Sequence, residues 1–284
     1  MTQFDATDVR RYYDRHTSAF VRFGQGGGAI HRAVWGAGVE NRGQAFHFVD
    51  DRIADLARAL PAHSGLLHLL DLGCGVAGSL CHLARQLPMH GTGVTLSPVQ
   101  VRMATEHIRD AGLADRVRCV EADFCRIPAS VEPADLAYAI ESFVHGPAAG
   151  VMLDAWARAV RPGGVLVICD DFRRPASHEA GGEAAAKAIE RFRRGWHVNT
   201  LVARDELQAS AHAAGFDHES TVDLTASLET GRLRDRLIAR LTTLAGWVAP
   251  RASRIDYLLG GSALQECLAR GWIGYDFSVF RRRG

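Results

Sequence analysis

Lysine is almost missing from this chain of 284 residues: Lys187 is the only one, and arginine supplies the rest of the 33 basic side chains. Against 32 acidic side chains this leaves a net charge of +1 at pH 7. A chain without excess positive charge has no general electrostatic reason to bind nucleic acid or an anionic membrane. It also has no run of eighteen apolar residues, which argues against a transmembrane helix. The opening stretch MTQFDATDVRRYYDRH is polar and lacks the apolar core of a secretory signal, so a cytoplasmic protein is expected. None of the six cysteines (Cys74, Cys81, Cys119, Cys125, Cys169, Cys267) forms a CxxC pair, and their spacing matches no zinc site. Most sit in apolar runs and read as buried, reduced thiols, and no metal centre is expected. Neither an internal repeat nor a low-complexity linker divides the chain.

What is present suits a folded enzyme-sized unit. The composition is 47% hydrophobic and 23% charged, with enough length for a sizeable core. From residue 65 onward, short apolar runs alternate with helical patterns. Leu66–Leu72, Gly93–Leu96, Val117–Glu121, Asp135–Ile140 and Val165–Cys169 read as strands. Ser79–Gln86, Pro98–Ala111 and Val151–Val160 read as helices between them, and Arg161 to Gly164 as a turn. This alternation indicates an α/β fold with a mostly parallel sheet and helices on both faces. The last third predicts a helix at Arg204–Ala214 and a strand at His218–Leu224. A long helical region follows over Leu228–Leu259, broken at Pro250, then a helix at Ser262–Arg270 and a final antiparallel edge strand at Tyr275–Phe280. Residues 1–64, with the loop Gly24-Gln25-Gly26-Gly27-Gly28, form an expected N-terminal helical cap. Residues 65–284 form the core, with a helical insertion at about 226–271.

The segment Asp71-Leu72-Gly73-Cys74-Gly75-Val76-Ala77-Gly78 follows the first strand and opens a helix. Its glycines fit G-x-G-x-x-G, which lets the backbone turn tightly and approach a ligand. A dinucleotide site would need an acidic residue about 20 residues on for the ribose. Here the second strand runs into Thr95-Leu96-Ser97-Pro98 instead. DLGCGVAGSL resembles the first motif of the class I S-adenosylmethionine-dependent methyltransferases. GVTLSPVQ, EADF, AIESFVH and RPGGVLVICDDF match further segments in order and spacing, over about residues 64–224. The GVTLSPVQ segment resembles the branch with cyclopropane fatty acid synthases and tocopherol methyltransferases. The resemblance implies a Rossmann-like methyltransferase fold with a seven-stranded sheet, and S-adenosylmethionine as cofactor.

In that frame Asp71 would hold the cofactor's ammonium by a charge-assisted hydrogen bond or through a water, with Gly73, Cys74 and Gly75 passing beneath its amino-acid part. Ser97 and Gln100 would meet the ribose, Asp123 the adenine with Phe124 as an apolar neighbour, and Thr95 and Ile140 would complete the cofactor site. Asp71 and Ser97 also suit helix capping, and Asp123 an ordinary turn.

The reacting methyl should lie beyond the first and fourth strands. Glu141 follows an apolar strand, where burial would raise its pKa and make it a usable base. His145 is the alternative base. Tyr13, Arg22, Gln25, His31 and Arg32 cluster around the glycine-rich loop and suit a substrate with an anionic end. Phe143, Trp196 and His197 add aromatic faces for an apolar body. The segments YYDRHTSAF, GAIHRAVW, IESFVH and FRRGWHVNTL resemble bacterial carbon methyltransferases of specialised metabolism, including those acting on prenyl diphosphates. That resemblance implies methylation of an isoprenoid alkene, isopentenyl, geranyl or a similar prenyl diphosphate, with a carbocation deprotonated by Glu141. Mg²⁺ would join if the substrate is a diphosphate. A small-molecule O- or N-methyltransferase using His145 is the alternative. A nicotinamide-dependent reductase and a non-catalytic binding protein fit less of the pattern. Partners beyond a small-molecule substrate are not indicated, and homo-oligomerisation stays open.

Overall fold

The computed structural model describes residues 4–23, 31–61, 65–175, 181–229 and 253–284. Two helices come first, α1 (Ala6–Phe23) and α2 (Arg42–Arg58). Asn41 caps α2, its side chain accepting from the Gln44 amide while the Gln44 side chain accepts from the Asn41 amide. There follow β1 (Leu67–Leu72), α3 (Gly78–Gln86), β2 (Met89–Thr95), α4 (Pro98–Asp110), β3 (Val117–Glu121), β4 (Ala134–Ile140), α5 (Ala149–Ala159) and β5 (Val160–Arg173). The chain closes with α6 (Gly182–Trp196), α7 (Arg204–Ala213), β6 (Phe216–Asp223), α8 (Ser253–Ala269) and β7 (Ile273–Arg282).

The seven strands form one sheet in the order β3-β2-β1-β4-β5-β7-β6. Strands β1 to β5 pair in parallel, and β7 runs antiparallel to both β5 and β6. The last strand is therefore not an edge, as its position in the chain suggested. Residues Ile273 to Phe280 are buried without a break, which an interior strand requires, whereas β6 is mostly exposed and takes the edge.

Strands buried on both faces explain the two hydrophobic layers. Leu136, Tyr138, Val165 and Val167 face one side, against Val49 and Ile53 of α2, Leu80 of α3, Ile108 of α4 and Phe192 of α6. Ala137, Ala139, Leu166 and Ile168 face the other, against Met152, Leu153 and Trp156 of α5 and Leu207 of α7. The expected turn at residues 161–164 is a bulge inside β5, where the register with β4 shifts and Gly163 takes φ +77°.

The last third departs further from expectation. Leu228 sits in a bridge with Val34 rather than in a helix. Residues 230–252, with Pro250, lie outside the described residues. The separate helix expected from Ser262 belongs to the continuous α8. Gly260 inside this helix serves close packing: a Cβ on it would stand 2.9 Å from the Gly195 Cα and 2.8 Å from the Trp196 ring.

Sheet order reverses between β1 and β4, and their carboxyl ends open a crevice.

Candidate active site

A cavity of about 670 Å³ occupies that crevice. All ten residues expected at the cofactor line it, from Asp71 to Ile140, together with Glu141, His145, Tyr13, His31 and Trp196. Two expected residues do not join them. Phe143 is fully buried in the far layer, against Trp156 and Phe172, because the turn after β4 points it away from the crevice. The His197 ring packs edge-on against Phe4 and Tyr12, and only its carbonyl serves the site. The Arg22 side chain and all of Gln25 lie outside the described residues.

The glycine turn is fixed by β2. The amides of Gly73 and Cys74 both donate to the Val94 carbonyl at 3.0 Å. Gly73 has φ +110°, and a Cβ there would stand 2.4 Å from the Ser142 Cβ, so only glycine fits. Asp71 stands near the end of β1, almost wholly buried. The nearby Tyr138 hydroxyl favours the ionised form but is itself buried without a partner. Burial, helped by the charge of Asp50, pushes Asp71 up to about 7. A buried carboxyl whose charge burial disfavours, beside a glycine turn, is what an ammonium group would satisfy, so these residues fit the amino-acid end of S-adenosylmethionine.

The second-strand motif is already engaged. Ser97 caps α4 by accepting from the Gln100 amide, and its hydroxyl donates to Asp14 Oδ1 at 2.5 Å. Thr95 donates to Gln100 Oε1 at 2.5 Å, and Gln100 donates to the Thr17 hydroxyl at 3.1 Å. Helix α1 thus holds Ser97 and Gln100 through Asp14 and Thr17. Asp123 accepts from the Cys125 amide, the turn role considered for it, while remaining on the cavity wall.

Glu141 has φ +52°, an uncommon conformation for a side chain of its size. Its Oε1 accepts from the Arg32 amide (2.8 Å), Arg32 Nε (3.1 Å) and the Tyr275 hydroxyl (3.0 Å). No described residue bonds Oε2, which stays accessible on the cavity side. Burial by itself would raise the pKa, as expected from the sequence, but Arg32 and then His31 outweigh it and hold Glu141 below the usual carboxylate range. Arg32 also donates to Asp171 at 3.0 Å and lies over the Tyr275 ring, 4.1 Å from its centroid.

His145 is held differently. Its Nδ1 donates to the His197 carbonyl at 3.2 Å, and the Tyr13 hydroxyl donates to Nε2 at 2.7 Å. Burial pushes it down to about 4, so it is neutral at pH 7. Asn199 donates to the carbonyls of His145 and Phe4, fastening the N-terminal segment over this corner. His31 is the opposite case: Asp50, 3.7 Å away, overcomes burial and raises it to about 9.

Asp14, Thr17, Asp171, Asn199 and Tyr275 were not among the candidates. Only the doublet Asp170-Asp171, closing an apolar strand, carried a signal: two consecutive acids where β5 reaches the crevice. Asp170 is pushed well up by burial beside Asp171.

A family model described as a methyltransferase domain matches residues 69–164. The chain is 31% identical over 225 residues to 27-O-demethylrifamycin SV methyltransferase of Amycolatopsis mediterranei (strain S699), covering 79% of each. It is 30% identical over 235 residues to 24-methylenesterol C-methyltransferase 2 of Oryza sativa subsp. japonica, covering 74% of this chain and 63% of that one. The chain therefore spans less than two thirds of the sterol enzyme's length. Its fold matches that of the [4+2]-cyclase SpnF at 24% identity with a TM-score of 0.74, over 100% of this chain and 98% of that one. Described residues contain no helix long and apolar enough to cross a membrane. With a glycine turn, a buried acid ending β1 and these relatives in agreement, the chain belongs to the class I S-adenosylmethionine-dependent methyltransferases.

Proposed function

We propose that this protein methylates an alkene carbon of an uncharged, isoprenoid-type substrate, with Glu141 as the base. The carrying observation is the carboxylate at the end of β4. It is ionised, anchored through Oε1 by Arg32 and Tyr275, and has Oε2 open to the cavity.

S-adenosylmethionine, held by Asp71 and the glycine turn, supplies an electrophilic methyl group. The chain does the rest. Tyr12, Tyr13, Phe124 and Trp196 give the wall aromatic faces that stabilise positive charge on a substrate carbon. Deprotonating the carbon beside a cationic centre needs only a weak base, correctly placed and shielded from water. A Glu141 carboxylate with a lowered pKa meets that demand.

The diphosphate end implied by the finer resemblance finds no support among the described residues. The cationic side chains on the cavity wall, His31 and Arg32, are already paired, with Asp50 and with Glu141 and Asp171. The named sterol C-methyltransferase relative fits a neutral alkene.

Methyl transfer to oxygen has one observation in its favour. A neutral His145 Nε2 could accept from a substrate hydroxyl that displaced Tyr13, and the rifamycin relative has an O-methylation name. Incubation with methyl-labelled S-adenosylmethionine and three panels separates the readings: sterol and linear terpene alkenes, prenyl diphosphates with Mg²⁺, and phenols. Product analysis should show a new carbon–methyl bond on a neutral alkene. Label found only on oxygen, or only on a diphosphate ester, overturns the proposal.

A further inference from the structure

Helices α2 and α3 pack behind the cavity and bring His47, Asp50 and His82 together. One donor atom from each lies within 4.8 Å of the other two. The two imidazole rings stack, with centroids 3.7 Å apart and planes 4° from parallel. Asp50 is completely buried, and its Oδ1 has no hydrogen-bond partner. Its Oδ2 lies 2.8 Å from His47 Nδ1. On the outer side, His82 Nε2 lies 2.8 Å from Asp51 Oδ1.

We propose that His47, Asp50 and His82 form a binding site for a divalent transition metal of the zinc class. Two imidazoles and a carboxylate are the donors such ions prefer, with water in the fourth position. Spacing agrees. Donors around a tetrahedral ion with bonds of about 2.0–2.2 Å stand roughly 3.4 Å apart. Closing from 4.8 Å or less asks for a shift of about an ångström, and because an ion lies in the plane of each ligating ring, the stacked imidazoles must also turn out of parallel; rotation of the two side chains supplies both.

Supporting contacts also have the right form. A ligating histidine commonly gives its other nitrogen to a carboxylate, which fixes the ring; Asp51 does this for His82. His31 balances the far oxygen of Asp50 from 3.7 Å, leaving Oδ2 for the ion. Access is open, because the His47 and His82 side chains retain 27% and 21% exposure. None of the three lines the cofactor cavity.

Position gives the site a consequence. Helix α3 starts directly behind the glycine turn, and Asp50 touches His31 on the cavity wall. An ion across α2 and α3 would fasten the wall against which the cofactor rests.

Tag-free protein, stripped with a chelator and titrated with Co²⁺, tests this directly. One equivalent should bind and develop the visible absorption of a four- or five-coordinate ion, and Zn²⁺ should displace it and raise the melting temperature. His82→Ala and His47→Ala should each weaken binding by about 100-fold or more, beyond the roughly 10- to 100-fold that loss of a supporting group costs. Asp51→Asn should fall in that smaller range. His90→Ala, exposed on β2 and outside the cluster, serves as the control and should bind as wild type. Circular dichroism of the metal-free variants confirms that they fold, and His82→Gln replaces His82→Ala if it does not. Absence of a Co²⁺ spectrum in the wild type, or unchanged affinity in a folded His82 variant, overturns the proposal.

Discussion

Replacing Asp71 with Asn should make the unliganded protein more stable while destroying its grip on the cofactor. In the folded chain Asp71 titrates at about 7, against about 4 for an ordinary aspartate. A folded state that holds its proton more tightly than the unfolded one loses stability as pH rises between those two values, and no further above the higher one. Each pH unit in that window costs about 1.4 kcal/mol. Ionised Asp71 therefore destabilises the empty protein by about 4 kcal/mol at pH 8, an upper bound because the surroundings relax. At pH 5 the penalty shrinks to about 1.5 kcal/mol. Asn keeps the shape and has no charge to bury. Urea unfolding of wild type and Asp71→Asn at pH 5 and pH 8 measures this: the variant's advantage should grow with pH by about 2–3 kcal/mol. The same charge is what an ammonium ligand needs. S-adenosylmethionine should bind wild type about tenfold more weakly per unit below pH 7 and release protons on binding near neutrality. A stability difference that does not change with pH would refute the reasoning, as would cofactor affinity retained by Asp71→Asn.

Glu141→Gln preserves the bonds from Arg32 and Tyr275 to one oxygen and removes the basic one. Turnover should drop by about two or more orders of magnitude with cofactor affinity near wild type by calorimetry, whereas a cofactor-holding role for Glu141 would reverse that split. Tyr13→Phe frees His145 Nε2 without unbalancing a charge, and on an alkene substrate its effect on turnover should stay within about tenfold, smaller than a positioned base gives. Gly73→Ala forces a Cβ into Ser142 at φ +110°; chemical denaturation should show a loss of about 2–4 kcal/mol. Trp196→Ala should lower kcat more than it weakens cofactor binding, and normal turnover in that variant would remove Trp196 from the reacting end.

The parallel half of the fold was legible because its signals are local. Runs such as LHLLDL and VLVIC are apolar on both faces, and glycine at 73 and 75 marks a turn no other residue makes easily. The ten cofactor candidates, drawn from the resemblance of these segments, all line one cavity. What failed was set by distance along the chain. Arg32 meets Glu141 across 109 residues and Asp171 across 139, and those pairs reverse the pKa shift that burial of Glu141 alone would give. Phe143 shows the limit at short range: two residues after Glu141, its ring packs in the opposite layer, which the string IESFVH does not reveal. The helix expected from Ser262 runs on from Ser253 instead, and the partner that Gly260 packs on, the Gly195–Trp196 corner of α6, lies elsewhere in sequence.

The contacts from α1 to the second-strand motif set a tax on ligand exchange. Ser97 and Gln100 cannot give their hydroxyl and amide to a sugar while Asp14 and Thr17 hold them. Any ligand that recruits this pair must evict those two side chains, and its departure lets them return. Entry and exit are then competitive displacements with a built-in rival present at high local concentration. Such a rival would shorten residence for a ligand held by this pair: residues covalently tied to the site would push it out once spent, without waiting for a fresh molecule to arrive.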